Sequence, residues 1–172
     1  MDNNILNDIN KLLVINENKN KKYCGDCSEC CKGWLSANIE GKEITPKHPC
    51  EHIVDNKCSN YENRPKSPCK IFTCGWLSNP DSDLLPDWMR PDKSKFIFTK
   101  SVGIYENLIP IFLVGDEIPK KSLNWTKKFT EENELDFGII KRIGETYKCK
   151  ILYPTNDDDG ILSMLRKGIV DD

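Results

Sequence analysis

The sequence predicts an α+β fold, in which an irregular cysteine-rich segment packs on a small, mainly antiparallel sheet with two or three helices. Eight of the nine cysteines fall between Cys24 and Cys74, and seven of the ten prolines fall between Cys24 and Pro91. Sustained apolar periodicity occurs only outside this segment. Many cysteines and prolines without a helix or strand period indicate irregular backbone that is held at intervals by bridges or metal.

The beginning of the chain has the pattern of an amphipathic helix. Apolar residues over 4–14 recur at the spacing of one helix face, and the polar stretch 16–22 that follows reads as a loop. We therefore expect two regions: residues 1–91 with this helix and the cysteine-rich metal-binding segment, and residues 92–172 as a small α+β region packed against it as one unit. The apolar residues of the helix are Ile5, Leu6, Ile9, Leu12 and Leu13.

Three strands are expected in the second region. Residues Lys95–Thr99 and Leu108–Val114 are apolar runs rich in β-forming residues. Pro110 cannot donate to a neighbouring strand, so the second run is predicted to lie at a sheet edge. Apolar residues alternate with lysines around Cys149, which predicts a third, half-buried strand through Tyr153.

Two helices are expected in the same region. Thr130 is a candidate N-cap with acidic residues in the following turn, and the apolar residues after it have a helical spacing. The acidic run Asp157–Gly160 predicts the start of a short last helix over residues 161–165, whose apolar members are Ile161, Leu162, Met164 and Leu165. The apolar residues after Thr130 are Leu135, Ile139, Ile140 and Ile143.

Composition excludes several classes of protein. The 172 residues are 38% apolar and 30% charged, with a formal net charge of −2 and no basic cluster, so nucleic-acid binding is not expected. No run approaches the 18 apolar residues of a membrane helix, and the N-terminus lacks a basic, then apolar, export signal. We expect a soluble, unexported, cytoplasmic protein.

The cysteines form an ordered constellation. A C-x2-C turn places two thiolates on one side of a tight loop, where backbone N–H groups can donate to the sulfurs. Cys30 and Cys31 are adjacent, and their side chains diverge in any extended conformation, so they suit two metal atoms or two centres better than each other. The eight candidate ligands, two sets of four, are Cys24, Cys27, Cys30, Cys31, Cys50, Cys58, Cys69 and Cys74.

Three interpretations of these cysteines compete. A disulfide scaffold requires an oxidising compartment, to which nothing in the sequence directs the chain. Zinc fits the ligand count, but zinc ribbons separate two C-x2-C pairs and the second pair is absent here. Iron–sulfur clusters take four cysteines each, and Cys24-x2-Cys27-x2-Cys30 matches the first three positions of the bacterial ferredoxin run. That run then requires a cysteine followed by proline where this chain has Trp34 and Leu35.

These residues resemble the CxxCxxCC family of zinc- or iron-chelating domains, the YkgJ-like cysteine cluster proteins. The resemblance covers about residues 20–78, and its most specific part is Cys58-x2-Tyr61-x2-Arg64-Pro65-x3-Cys69. It implies a metal or iron–sulfur centre on the cysteines. Here the Lys66-Ser67-Pro68 spacer between Arg-Pro and the next cysteine is longer than is usual in the family.

Other candidate residues have competing interpretations. His48 and His52 flank Cys50 and are expected to be surface or supporting histidines, with zinc ligation as the alternative. Arg64 either donates to cluster sulfur or a carboxylate, with Tyr61 packed over it, or simply fixes a turn. Cys149 is expected to be a small buried apolar residue.

The sequence favours a cysteine-cluster protein that binds one or two iron–sulfur clusters of the [4Fe–4S] type. Its role would be electron transfer, cluster handling or structural support. The first alternative is a module stabilised by Zn²⁺ without redox activity. The second is a metal-dependent enzyme whose substrate pocket lies in residues 90–172; its substrate, like any redox or protein partner, is not identified by the sequence.

Overall fold

The computed structural model describes residues 24–78, 84–100 and 108–143, and the backbone of residues 146–152. Short helices, two small hairpins and one larger sheet give the α+β fold that the sequence predicts. The elements are β1 (Ala37–Ile39), β2 (Lys42–Ile44), β3 (Ile53–Val54), β4 (Lys57–Cys58), α1 (Gly75–Ser78), α2 (Pro91–Ser94), β5 (Phe96–Phe98), β6 (Leu108–Leu113), α3 (Lys120–Glu132), β7 (Asp136–Ile143) and β8 (Thr146–Leu152).

The cysteine-rich segment contains two antiparallel hairpins, β1–β2 and β3–β4. Asn38 Oδ1 accepts a hydrogen bond from the Gly41 N–H at 2.9 Å in the first turn. Asp55 and Asn56 both have positive φ in the second turn, at 51° and 59°, and these two residue types adopt that conformation most readily after glycine. Helical turns at Cys30–Trp34 and Lys66–Lys70 complete this otherwise irregular segment.

The larger sheet has the strand order β5-β6-β7-β8. β5 pairs with β6 and β7 with β8 in antiparallel fashion, whereas β6 and β7 are parallel and are joined through α3. Alternate residues of the central strands, including Ile111 and Ile139, are fully buried in the main apolar core. The strands predicted at 95–99, 108–114 and around Cys149 are confirmed at β5, β6 and β8.

The helix predicted after Thr130 is wrong: α3 ends at Glu132, and residues 136–143 form β7. Three of the four apolar positions that suggested a helix, Ile139, Ile140 and Ile143, belong to this strand, and Leu135 immediately precedes it. The sequence does not predict α3 because the buried side chains of this helix are the hydroxyl residues Ser122, Thr126 and Thr130, which give no apolar helical pattern. The Thr130 hydroxyl donates to the Thr126 carbonyl oxygen at 2.9 Å, so these polar groups are satisfied within the helix.

The predicted edge position of Pro110 is also wrong, because β6 lies between β5 and β7. The Thr99 N–H donates to the Pro110 carbonyl oxygen at 2.9 Å. The N–H that proline lacks would face Thr99, one residue beyond the end of β5. The missing donor therefore falls outside the β5–β6 ladder, and an interior strand tolerates the proline.

The two regions expected from the sequence share one apolar core. Cys74 and Trp76 pack in the same cluster as Phe96, Ile111 and Phe137. The predicted helices at 4–14 and 161–165 lie outside the described residues. Within the described ranges no helix combines the length and apolar character required to cross a membrane.

Candidate metal centre

The first four cysteines lie in one stretch of tight turns. The Cys27 N–H donates to the Cys24 carbonyl oxygen at 2.8 Å. Gly25 between them has a φ of 57°, which glycine adopts without steric cost. The helical turn that contains Cys30 and Cys31 follows immediately. The C-x2-C spacing thus produces the compact loop that the sequence predicts.

Gly33 fixes how this turn packs against the end of β2. Its φ is 83°, and a Cβ at this position would lie 2.2 Å from the carbonyl carbon of Thr45. Only glycine fits such a close approach of two backbones. The Cys50 N–H donates to the Cys31 carbonyl oxygen at 2.9 Å, so the chain after β2 returns to the first cysteine group.

The last three cysteines are delivered by three different local structures. Cys58 ends β4 and pairs with Ile53 across the β3–β4 hairpin. Cys69 lies in the helical turn Lys66–Lys70, and Cys74 immediately precedes α1. Short hairpins and turns therefore hold cysteines that are far apart in sequence at fixed positions.

All eight predicted ligands line one cavity of about 840 Å³. They are free thiols; two are buried and six are half-buried. The remaining wall is mainly apolar and includes one face of the larger sheet, represented by Leu108, Phe112 and Ile140. The side chain of Cys149, on β8, lies outside the described residues. The cavity cysteines are Cys24, Cys27, Cys30, Cys31, Cys50, Cys58, Cys69 and Cys74.

Two apolar clusters divide the cysteines. Cys74 belongs to the main core, and Cys30 packs against it. Cys50 belongs to a second, smaller core with Ile39 and Ile44, and both Cys31 and Cys69 pack against that one. The neighbouring residues Cys30 and Cys31 therefore contact different cores, although they lie in a helical turn and not in the extended backbone from which the sequence predicted their divergence.

The electrostatic environment of the thiols next to the main core is set by burial and by one another. Burial raises the pKa of Cys30 well above its ordinary value of 9.0, and the nearby thiolate charges, first that of Cys74, raise it further. Burial also raises the pKa of Cys74 to about 12, to which Cys24 and Cys27 contribute. Metal binding here must displace protons from neutral thiols.

A second group of thiols interacts around Cys31. Burial raises the pKa of Cys31 to about 12, and the largest contributions from other thiols come from Cys50 and Cys58. Burial raises the pKa of Cys69 as well, and the same two cysteines add to that shift. The thiols of Cys24 and Cys69 make smaller contributions to the same shift of the Cys31 pKa.

Backbone N–H groups face two of the sulfurs. Burial raises the pKa of Cys27, but the backbone N–H groups of Glu29 and Asp92 hydrogen-bond its sulfur and oppose the shift. The backbone N–H groups of Leu77 and Trp76 act in the same way on Cys74. Such donors stabilise thiolates and tune metal centres.

The contacts of Arg64 agree with the turn-fixing role, one of the two alternatives that the sequence left open. Its Nε donates to the Cys69 carbonyl oxygen at 3.4 Å, its Nη1 donates to the Tyr61 carbonyl oxygen, and its guanidinium lies 3.9 Å from the Tyr61 ring centre. These contacts fix the turn. Its positive charge also lowers the pKa of Cys24 and of Cys69 against the stronger effect of burial.

Two arginines that support the site were missed by sequence reasoning. Arg90 Nη1 lies 2.8 Å from Asp26 Oδ1, and Arg90 Nε lies 2.6 Å from Asp92 Oδ1, so it links the first cysteine loop to α2. Arg142, on β7, bonds the Gly33 carbonyl oxygen. The Arg-Pro-Asp sequence at α2 offered a local signal for Arg90, whereas nothing local marked Arg142.

The histidines do not join the thiols as a tight ligand set. His52 lines the cavity, and His48 is exposed. A ring nitrogen of His52 lies within 4.8 Å of oxygens from Glu40 and Glu51 at the surface, where Lys42 Nζ lies 2.7 Å from Glu51 Oε2. This group is a surface ion-pair cluster beside the cavity.

Comparison of the chain with protein-family models, with curated proteins and with solved structures finds no match.

Proposed function

We propose that this chain is an intracellular iron–sulfur protein of the YkgJ-like kind, with [4Fe–4S] clusters bound by the cavity cysteines. The observation that carries the proposal is the arrangement of eight free thiols around one mainly apolar cavity. Bound there, a cluster supplies a one-electron redox step. Its role is electron transfer, cluster handling or structural support.

The residues of the cavity fit such a group in three respects. Eight thiols satisfy two clusters at four ligands each. The apolar wall limits water near the sulfurs, and the N–H groups directed at Cys27 and Cys74 favour their thiolate forms. Arg64 places a positive charge beside Cys24 and Cys69, where bound clusters with thiolate ligands carry net negative charge.

The decisive experiment is purification of the full chain without oxygen, followed by visible absorption and by iron, sulfide and zinc analysis. The proposal expects brown protein with iron and sulfide in equal amounts. Replacement of both Cys24 and Cys27 by serine is expected to lower both, because hydroxyl ligands replace thiolates poorly at iron. Cys149→Ser is the matched control and should keep its full iron content. Colourless protein with stoichiometric zinc would establish the zinc module instead.

A further inference from the structure

The cavity thiols fall into two groups according to the core that holds them. Cys30 packs with Cys74 against the main core, while Cys31 packs with Cys50 and Cys69 against the smaller core. A peptide bond separates Cys30 from Cys31, so their Cα atoms lie only about 3.8 Å apart. The boundary between the two groups therefore runs through one dipeptide.

We propose, building on the function above, that the eight thiols form two separate centres that meet at the Cys30–Cys31 peptide. The first centre is bound by Cys24, Cys27, Cys30 and Cys74. The second centre is bound by Cys31, Cys50, Cys58 and Cys69.

Backbone contacts hold the first set together. The Cys24–Cys27 turn is closed by a 2.8 Å hydrogen bond, and the helical turn with Cys30 follows it directly. Arg90 Nη1 lies 2.8 Å from Asp26 Oδ1 and Arg90 Nε lies 2.6 Å from Asp92 Oδ1, which ties this loop to α2. Cys74 immediately precedes α1, and α1 packs against β5. β5 in turn follows α2 closely in the chain. The first loop and Cys74 are thus positioned by neighbouring elements of the main core.

Different contacts hold the second set together. The Cys50 N–H bonds the Cys31 carbonyl oxygen at 2.9 Å, and the Cys50 carbonyl oxygen accepts the Ile53 N–H at 3.1 Å. Ile53 in turn pairs with Cys58 across the hairpin. Cys69 lies in the turn Lys66–Lys70, which packs against β1 of the smaller core. Backbone pairing therefore connects Cys31, Cys50 and Cys58 in series. Cys69 is positioned by the packing of its turn against β1.

The test uses the metallated Cys149→Ser chain, whose cysteines are the eight of the cavity, and does not depend on which metal it holds. Metal is removed in steps with EDTA under anaerobic conditions, the released thiols are alkylated with iodoacetamide, and intact molecules with four labels are fragmented in the mass spectrometer. Because each centre frees its own four thiols, every such molecule should carry its labels on one complete set. Labels that mix the sets, or a population with only zero or eight labels, would overturn the proposal.

Paired substitutions give a second, independent measurement. Cys27→Ser with Cys74→Ser removes two ligands of the first centre and should halve the metal content. Cys27→Ser with Cys50→Ser removes one ligand from each centre and should abolish metal binding. Equal loss in the two double variants would contradict the division. Zinc in place of iron would refute the proposed function while leaving both measurements of the division valid.

Discussion

Arg142 Nη1 donates a hydrogen bond of 3.2 Å to the carbonyl oxygen of Gly33, joining residues 109 positions apart in the chain. The same nitrogen donates to Ser36 Oγ at 3.3 Å. Only 5% of Arg142 is exposed. A buried arginine on β7 therefore fixes the turn that contains Cys30 and Cys31, and the position of the cysteines depends on the sheet.

Replacement of Arg142 by methionine should destabilise the chain and weaken metal retention. The change leaves the Gly33 carbonyl without its charged donor, and a hydrogen bond to a charged group contributes about 1.5–3 kcal/mol. Urea unfolding of metal-free protein and metal release to EDTA measure the two effects. Lys141→Met is the matched control, because Lys141 bonds the Asp116 carbonyl oxygen at an exposed position. Equal effects of the two substitutions would show that the bond to Gly33 does not support the site.

Two glycines with the same backbone conformation allow the cost of a positive φ to be measured separately from the cost of a steric clash. Gly33 has a φ of 83° and Gly41 a φ of 84°, but only a Cβ at Gly33 meets another residue, at 2.2 Å from Thr45. Gly41→Ala should cost about 1 kcal/mol for its positive φ. Gly33→Ala should lower the free energy of unfolding by about 1–3 kcal/mol more, because the new Cβ forces the backbone at Thr45 to move. Urea unfolding gives the stability difference, and metal analysis should show loss only in the Gly33 variant.

The stability of reduced, metal-free protein should fall as pH rises above about 9. Burial raises the pKa of Cys31 and Cys74 to about 12 in the folded chain from an ordinary value of 9.0. Between these values the unfolded chain releases protons that the folded chain still holds, so alkaline pH favours unfolding. Below pH 9 this contribution to stability is fully present.

Urea unfolding of the metal-free protein at pH 8, 9 and 10, with a reductant present, measures this decline. Metallated protein is the control, since its thiolates have already lost their protons. It should not show the same decline over this range. If the free energy of unfolding of metal-free protein did not change with pH, these thiols would have the same pKa in the folded and the unfolded chain.

The sequence was informative where local chemistry determines the structure. Cysteine spacing indicated the eight thiols that line the cavity. Cys30 and Cys31 contact different cores, but from a helical turn and not from the extended backbone on which the expectation rested. Apolar runs located β5 and β6. The sequence misled where tertiary contacts decide: buried hydroxyls such as Thr126 concealed α3, and the short length of β5 made room for Pro110 inside the sheet. The grouping of the thiols depends on two cores formed by residues distant in sequence, so spacing could not reveal it.

The last prediction concerns the reduction potential and rests on the proposed function. Arg64 acts electrostatically on Cys24 and Cys69, so its charge should stabilise the reduced, more negative state of a cluster bound nearby. Arg64→Gln should therefore make the potential more negative, as measured by redox titration followed by visible absorption. Arg64→Lys keeps the charge but loses the paired hydrogen bonds to the carbonyl oxygens of Cys69 and Tyr61. If charge is the cause, this variant should retain most of the wild-type potential. Lys47→Gln removes one exposed charge and should leave the potential unchanged. Identical potentials in wild type and Arg64→Gln, with full iron content in both, would show that Arg64 serves only to fix its turn.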